Sequence, residues 1–214
     1  MRFHVNIIFY LFAIANILLL ISCASIDTSS NTSTWKDPNF STTISKVLII
    51  GIHSDQEERG LYEDTLVKLL KTTGVQSVSS ISIFPRDKAL SQDMISSIIK
   101  SDGFDSVLVT RVINEASDSR NALTRRNFPV RAYRRNLYDF YNRSYPIVHS
   151  PNYYQSNTTL SLETNLYSAI NSSLVWSNQS GTFNQAYIKD VSDDISKSVI
   201  SSLARDHLIS HNNL

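Results

Sequence analysis

Hydrophobic residues change their spacing repeatedly along this chain of 214 residues. From Val5 to Ile21 they form an almost unbroken run. From Ser25 to about Ser45 they nearly vanish among Ser, Thr, Asn and Asp. That composition cannot pack a core and predicts a flexible tether, interrupted by Trp35 and Phe40, which can dock on the domain that follows. Lys46-Val-Leu-Ile-Ile-Gly-Ile52 is a short apolar run rich in β-branched residues and closed by polar His53-Ser54-Asp55. It predicts a strand buried on both faces. Over residues 57–73 the spacing becomes helical. Tyr62, Leu66, Leu69 and Leu70 share one stripe, acids sit early, lysines sit late, and Gly74 is the stop. Val75 to Phe84 predicts a second strand, ended by Pro85. Ser91-Gln-Asp-Met94 opens a second helix with Ile95, Ile98 and Ile99, ending at Gly103. Asp105 to Ile113 predicts a third strand.

Strand–helix–strand–helix–strand with short links implies two consecutive crossovers and a parallel sheet. The second half reads differently. Thr159 to Tyr167 alternates, with Leu160, Leu162, Thr164 and Leu166 on one face. Leu174 to Phe183 is another extended run, in which Trp176 plugs the core or the sheet edge. The short link 168–173 makes the two an antiparallel hairpin. A last helix over about 187–206 carries Ile188, Val191, Ile195, Val199 and Leu203 at helical spacing. The fold class is therefore α/β: a single mixed-sheet domain over 46–209, helices covering the sheet, with an irregular insertion at 115–156.

The N-terminal run sharpens once its flanks are included. Arg2 precedes it, and Leu20-Ile-Ser-Cys23 closes it on the only cysteine of the chain. This is the layout of a secretory signal peptide over residues 1–22. The Leu-Ile-Ser-Cys ending resembles the lipobox of bacterial lipoproteins, which implies cleavage before Cys23 and acyl chains on it. Lipidation also accounts for a lone cysteine in an exported chain, which has no internal disulfide partner. Residues 23–45 would then be a lipid-anchored tether. Ala24 stands where an inner-membrane retention signal puts Asp, so the resemblance implies the periplasmic side of the outer membrane. Two other readings stand beside it. The run is at the short end of what an uncleaved signal anchor needs. The triplets at Asn31, Asn142, Asn157, Asn171 and Asn178 fit an acceptor pattern for glycosylation in a secreted protein.

Charge adds little globally and much locally. The chain has 20 Lys+Arg against 19 Asp+Glu, so nothing points to a polyanion partner, and nucleic acid is not expected. Between residues 120 and 143, however, Arg120, Arg125, Arg126, Arg131, Arg134, Arg135 and Arg143 face only Asp139. Tyr133, Tyr138 and Tyr141 lie among them, and Tyr145, Tyr153 and Tyr154 follow. Arginine and tyrosine are enriched at protein contacts, so Arg125, Arg126, Arg131, Tyr133, Arg134, Arg135, Tyr138 and Tyr141 are candidate partner-binding residues. The same mix could hold anionic headgroups. The bland account is a solvated loop whose arginines pair with acids elsewhere on the domain.

Chemistry is sparse. With Cys23 lipidated, no thiol remains for catalysis or metal binding. His53, His149, His207 and His211 sit in no metal-ligand spacing, and no cofactor is expected beyond the covalent lipid. No Gly-x-Ser-x-Gly, phosphate loop or dinucleotide fingerprint occurs. One positional candidate remains for a small-ligand site or hydrolase. His53, Asp55 and Glu58 follow the first strand and Arg111 ends the third, where open α/β sheets bind ligands; Asp55 could equally cap the next helix. Arg59 and Glu63 read as an exposed i,i+4 pair.

Several stretches carry a further resemblance: Lys46-Val-Leu-Ile-Ile-Gly, Glu58-Arg-Gly-Leu-Tyr-Glu-Asp-Thr-Leu, Leu70-Lys-Thr-Thr-Gly, Ser106-Val-Leu-Val-Thr-Arg, and Leu162-Glu-Thr-Asn-Leu-Tyr running to Leu174-Val-Trp-Ser and Thr182-Phe. Together they resemble small bacterial lipoproteins of unknown function. At fold level the arrangement looks like the α/β domain of envelope assembly or regulator lipoproteins, such as the curli secretion lipoprotein and the activators of peptidoglycan synthases. That resemblance implies a non-enzymatic interaction or assembly module with an envelope protein partner. The insertion, rich in Tyr and Gly in such proteins, is rich in Arg here.

Overall fold

The structure, a computed structural model, describes residues 33–86, 88–114, 132–151, 153–154, 159–184 and 188–210. Its elements are β1 (Ser33–Lys36), β2 (Lys46–Ile52), α1 (Gln56–Thr72), β3 (Gln76–Ser79), α2 (Gln92–Asp102), β4 (Ser106–Asn114), α3 (Leu137–Val148), β5 (Thr159–Ser168), β6 (Leu174–Gln179), β7 (Phe183–Asn184) and α4 (Ile188–Arg205). Short 3₁₀ turns follow β3 and precede α3. Seven strands form one sheet in the order β1-β6-β5-β4-β2-β3, with β7 also on β5. β2 pairs in parallel with both β3 and β4, and β4, β5, β6 and β1 follow antiparallel. This is the α/β mixed sheet that the spacing predicts.

The sheet is covered on both faces, because side chains alternate along each strand. Val47 and Ile49 of β2, with Leu108, Leu162, Leu166 and Trp176, pack under α1 and α4. Leu48, Ile50 and Ile52, with Val107, Val109 and Tyr167, pack under α2 and α3. Helix ends follow local chemistry. Asp55 caps α1 by accepting from the amides of Glu57 and Glu58. Ser91 caps α2, whose end is set by Gly103 at φ +68, a left-handed conformation open to glycine.

Four expectations need correction. The tether does not reach residue 45: Ser33–Lys36 is already the edge strand β1, paired with β6 from Ser33↔Gln179 to Lys36↔Trp176. The remainder of the expected tether, 23–32, lies outside the described residues, as do the signal segment and Cys23. The second strand stops at Ser79 rather than Phe84, because Ser79, Ser80 and Ile81 all turn their donors onto the buried Glu63 carboxylate. The run from Leu174 to Phe183 is two strands, broken where Ser180 Oγ accepts from the Leu162 amide. Finally, the insertion is not irregular throughout. Leu137, Phe140, Tyr141, Ser144 and Val148 make the buried face of α3. Tyr153 ties its far end to β4 by donating to the Val112 carbonyl and accepting from the Asn114 amide.

Trp176 is the largest fully buried side chain, and its indole N–H donates to Asp206 Oδ2 at 2.7 Å. The bond joins β6 to the end of α4. Trp176→Phe removes this bond and part of the buried ring, so it should lower the unfolding free energy by about 2 kcal/mol, measured by urea denaturation. A loss no larger than that of a surface substitution would show that the bond is idle.

Candidate functional site

Three polar groupings inside the domain decide what the expected crevice can do. The first is centred on Glu63, which is 0 % exposed, with Arg59 at 5 %. Position 63 lies on the α1 face that meets β2 and β3. Its carboxylate accepts from the Gly51 amide at 2.7 Å, Arg59 Nε at 2.9 Å, Ser79 Oγ at 2.6 Å and the Ile81 amide at 3.0 Å. Ser80 Oγ donates to it as well, and itself accepts from Arg59 Nη2 at 2.7 Å. The exposed i,i+4 pair expected from sequence is thus a buried ionic centre. Gly51 makes the close approach possible: a Cβ there would sit 3.1 Å from Arg59 Cγ and 3.2 Å from Glu63 Oε1.

The second grouping is centred on Glu163 of β5. Arg111 of β4, its cross-strand partner, donates to it through Nε at 2.9 Å. Arg134 Nε lies 3.0 Å from the other carboxylate oxygen, a close ionic contact without hydrogen-bond alignment. Asn165 Nδ2 donates at 3.2 Å, and the Arg111 guanidinium also rests 5.7 Å from the Phe140 ring centre. Burial alone would raise the Glu163 carboxyl; the charges of Arg111 and Arg134, with the hydrogen bonds from Asn165 and Arg111, outweigh it and hold the group below the ordinary carboxylate range.

The third grouping surrounds His53, just past the end of β2. The Asp55 amide, whose hydrogen is fixed, donates to His53 Nδ1 at 3.0 Å. This leaves the proton of the neutral ring on Nε2, which lies 3.4 Å from Glu58 Oε2 without hydrogen-bond alignment. Burial pushes the imidazole down from its ordinary value, with the nearby His149 adding to the effect against the pull of Asp55. Tyr154 packs on the ring at 4.9 Å. Beside His53 a cavity of about 40 Å³ opens between α1 and α4, lined by Leu61, Tyr62, Val112, Leu162, Ser192 and Ile195 among others. That is room for about three water molecules.

Of the expected crevice, His53, Glu58 and Arg111 do line this one cavity. Asp55 instead caps α1, and Arg111 is also held by Glu163. Of the candidate partner-binding residues, Arg125, Arg126 and Arg131 lie outside the described residues, and Tyr133 is placed only as part of a 3₁₀ turn. Arg134 turns inward to Glu163. Tyr141 is buried, and its hydroxyl accepts from the Leu90 amide at 3.0 Å. Arg135 is exposed and Tyr138 half-buried. Among the described residues no group of His, Cys, Asp and Glu is placed to hold a metal ion.

No protein-family model and no curated protein sequence matches the chain. Solved structures with a similar fold include a PelC dodecamer from Paraburkholderia phytofirmans, at TM-score 0.44 and 12 % identity, covering 81 % of this chain and 96 % of that one. Lipoprotein GNA1162 from Neisseria meningitidis matches at TM-score 0.35 and 14 % identity, covering 75 % and 99 %. Similarity at this level carries no functional argument.

The two titrating groups give the domain a stepped acid profile. Both are protonated more readily in the unfolded chain, so each loses its contribution as pH falls. The His53 step begins as pH drops through 6.5 and the Glu163 step as pH drops below 4.5. Unfolding free energy measured from pH 8 to pH 3 should fall in both windows. His53→Gln should flatten the first and Glu163→Gln the second; an unchanged slope in either variant would contradict its assignment. Glu63→Gln leaves Arg59 buried opposite a neutral group and should destabilise by about 3 kcal/mol at pH 7, read from chemical denaturation.

Proposed function

We propose that the chain is a lipid-anchored, non-enzymatic interaction or assembly module of the bacterial cell envelope, held through Cys23 on the periplasmic side of the outer membrane. One observation carries the reading. The Leu20-Ile-Ser-Cys23 sequence is followed, after only residues 24–32, by a strand that belongs to the sheet. Nine extended residues and their flanking bonds span at most about 35 Å. The anchor is a short lead that keeps the domain against the bilayer rather than a long leash. The fate of the internal charges supports the non-enzymatic part. Arg59 and Glu63 hold each other, as do Arg111 and Glu163, so the cavity beside His53 is lined mainly by apolar groups. The partner-facing surface in this reading is Arg135 and Tyr138, together with Arg125, Arg126 and Arg131, which precede them in sequence.

Growth with an alkyne-tagged fatty acid tests the anchor. The protein should take up the tag and sediment with membranes, and Cys23→Ser should lose the tag and accumulate as unprocessed precursor. Undiminished labelling of that variant would remove the anchor. For the surface, Arg135→Glu combined with Tyr138→Ala should leave the melting temperature within a few degrees. It should also reduce co-purification of a cross-linked envelope partner at least tenfold; unchanged recovery would remove this face from the interaction.

A further inference from the structure

Two imidazoles come near each other at the end of the sheet, one from the strand side and one from the insertion. His53 follows β2, and His149 closes α3 as its C-terminal cap. Backbone groups fix their protons in opposite ways. His53 Nδ1 accepts from the Asp55 amide, so the neutral ring carries its proton on Nε2. His149 Nδ1 lies 2.9 Å from the Tyr145 carbonyl, which can only accept, so that neutral ring keeps a lone pair on Nε2. Both Nε2 atoms are buried without a hydrogen-bond partner. Aromatic rings lie over both: Tyr154 is 4.9 Å from the His53 ring, and Tyr145 stacks on His149 at 3.9 Å.

A charge on His53 conflicts with this arrangement. The second ring proton has to go on Nδ1, and that nitrogen then gives up the Asp55 amide for the Asp55 carbonyl, 3.1 Å away. Asp55 is the cap of α1, so the exchange disturbs the start of that helix. The charged groups around the ring pull both ways. From α1, Asp55 and Glu58 favour a cation, with Glu58 Oε2 3.4 Å from Nε2. Arg59 of α1 and Arg111 of β4 line the same cavity and oppose one. His149 of α3 opposes it as well. The segment after α3 presents the uncharged Tyr154 ring, and α4 meets the cavity through Ser192 and Ile195, neither of them charged. Burial outweighs the acids and holds the imidazole below its ordinary range. Moving Tyr154 and the end of α3 aside lets water reach the ring and solvate its charge.

We propose that His53 and His149 form an acid-sensitive latch that fastens the end of the insertion, the last turn of α3 with Tyr153 and Tyr154, to the sheet. Near neutral pH the latch is closed over an uncharged His53. In acid, the charged His53 ring is better accommodated with Tyr154 lifted, and any charge on His149 adds repulsion across the gap. The strand ladders need not part for this, so the opening is local. Arg135 and Tyr138 sit at the other end of the same helix, so the latch links acidity to the face assigned above to a partner. It belongs to the domain alone and holds whether or not Cys23 carries lipid.

Hydrogen–deuterium exchange of the full chain tests the latch, read from pH 7.5 to 5.5 as protection factors, which remove the intrinsic pH dependence of exchange. Four amides report on it. His149 and Ser150 donate to the Tyr145 and Ile147 carbonyls, Tyr153 donates to the Ser150 carbonyl, and Asn114 donates to the Tyr153 hydroxyl. An open form that titrates at 6.5 gains about tenfold in population over this range. Protection of the four should therefore fall about tenfold. It should stay below that of Leu48 to Ile50 in β2 and ignore low concentrations of urea, the mark of a local opening. His53→Gln should cut the fall to less than about twofold, whereas a merely structural role would lower protection equally at each pH. Tyr154→Ala, which uncovers the ring in the closed form, should also shrink the fall, and it decides if His53→Gln does not fold. Constant protection across the range, a fall that urea enhances and β2 shares, or an undiminished fall in the folded variants would overturn the latch.

Discussion

A carboxylate taken out of water must be surrounded by donors or cations, and this domain meets that requirement twice. Glu63 and Glu163 are both essentially buried, at 0 % and 1 % exposure, one beneath α1 and the other on a β5 face that α3 covers. Leaving either charge unanswered would cost several kcal/mol. Most departures from a regular α/β layout trace to how each is answered. Glu63 takes donors from β2, from its own helix and from the chain just past β3, so β3 ends where its serines turn inward. Glu163 takes cations from β4 and from the turn before α3. Arg134 thereby fastens the turn before α3 to β5.

Much of the layout was legible because burial writes itself into spacing. The continuous apolar run at β2 announced a strand covered on both faces, and the alternation from Leu160 to Leu166 announced the hairpin. What stayed hidden was polar and inward-facing. Glu163 shares its face of β5 with Ser161 and Asn165, a pattern that normally signals solvent. It is buried because α3 lies over it, and α3 was hidden inside an Arg- and Tyr-rich stretch whose composition suggested a surface. Tyr141 and Arg134 carried the same ambiguity, since a tyrosine that fills a core and one that meets a partner are identical in sequence. Arg59 and Glu63 were four apart on a helix, a spacing shared by surface pairs. Gly51, the position that lets Arg59 and Glu63 approach β2, was the available clue.

The crevice at the end of the parallel strands is where His53 and Arg111 come to line one cavity. The location is the customary one for ligands in α/β sheets, and polar residues do gather there. Their charges are nonetheless answered within the domain. Arg111 lies between Glu163 and the Phe140 ring, Asp55 closes a helix end, and His53 accepts a backbone amide. The space left between α1 and α4 is consequently small and mostly greasy.

The seating of β1 at the sheet edge has a mechanical consequence. Force applied to the N-terminal side of Ser33 arrives first at a strand of four residues, held by its ladder with β6 and continued by the Asp37 amide on the Val175 carbonyl. The buried ionic centres lie farther inside. A pull from that side is therefore shared among the β1–β6 ladder, the Trp35 ring packed on the layer beneath α2 and α3, and the Lys36 ammonium on the Asp206 carbonyl, so the load on this short strand passes directly into one core layer and the end of α4.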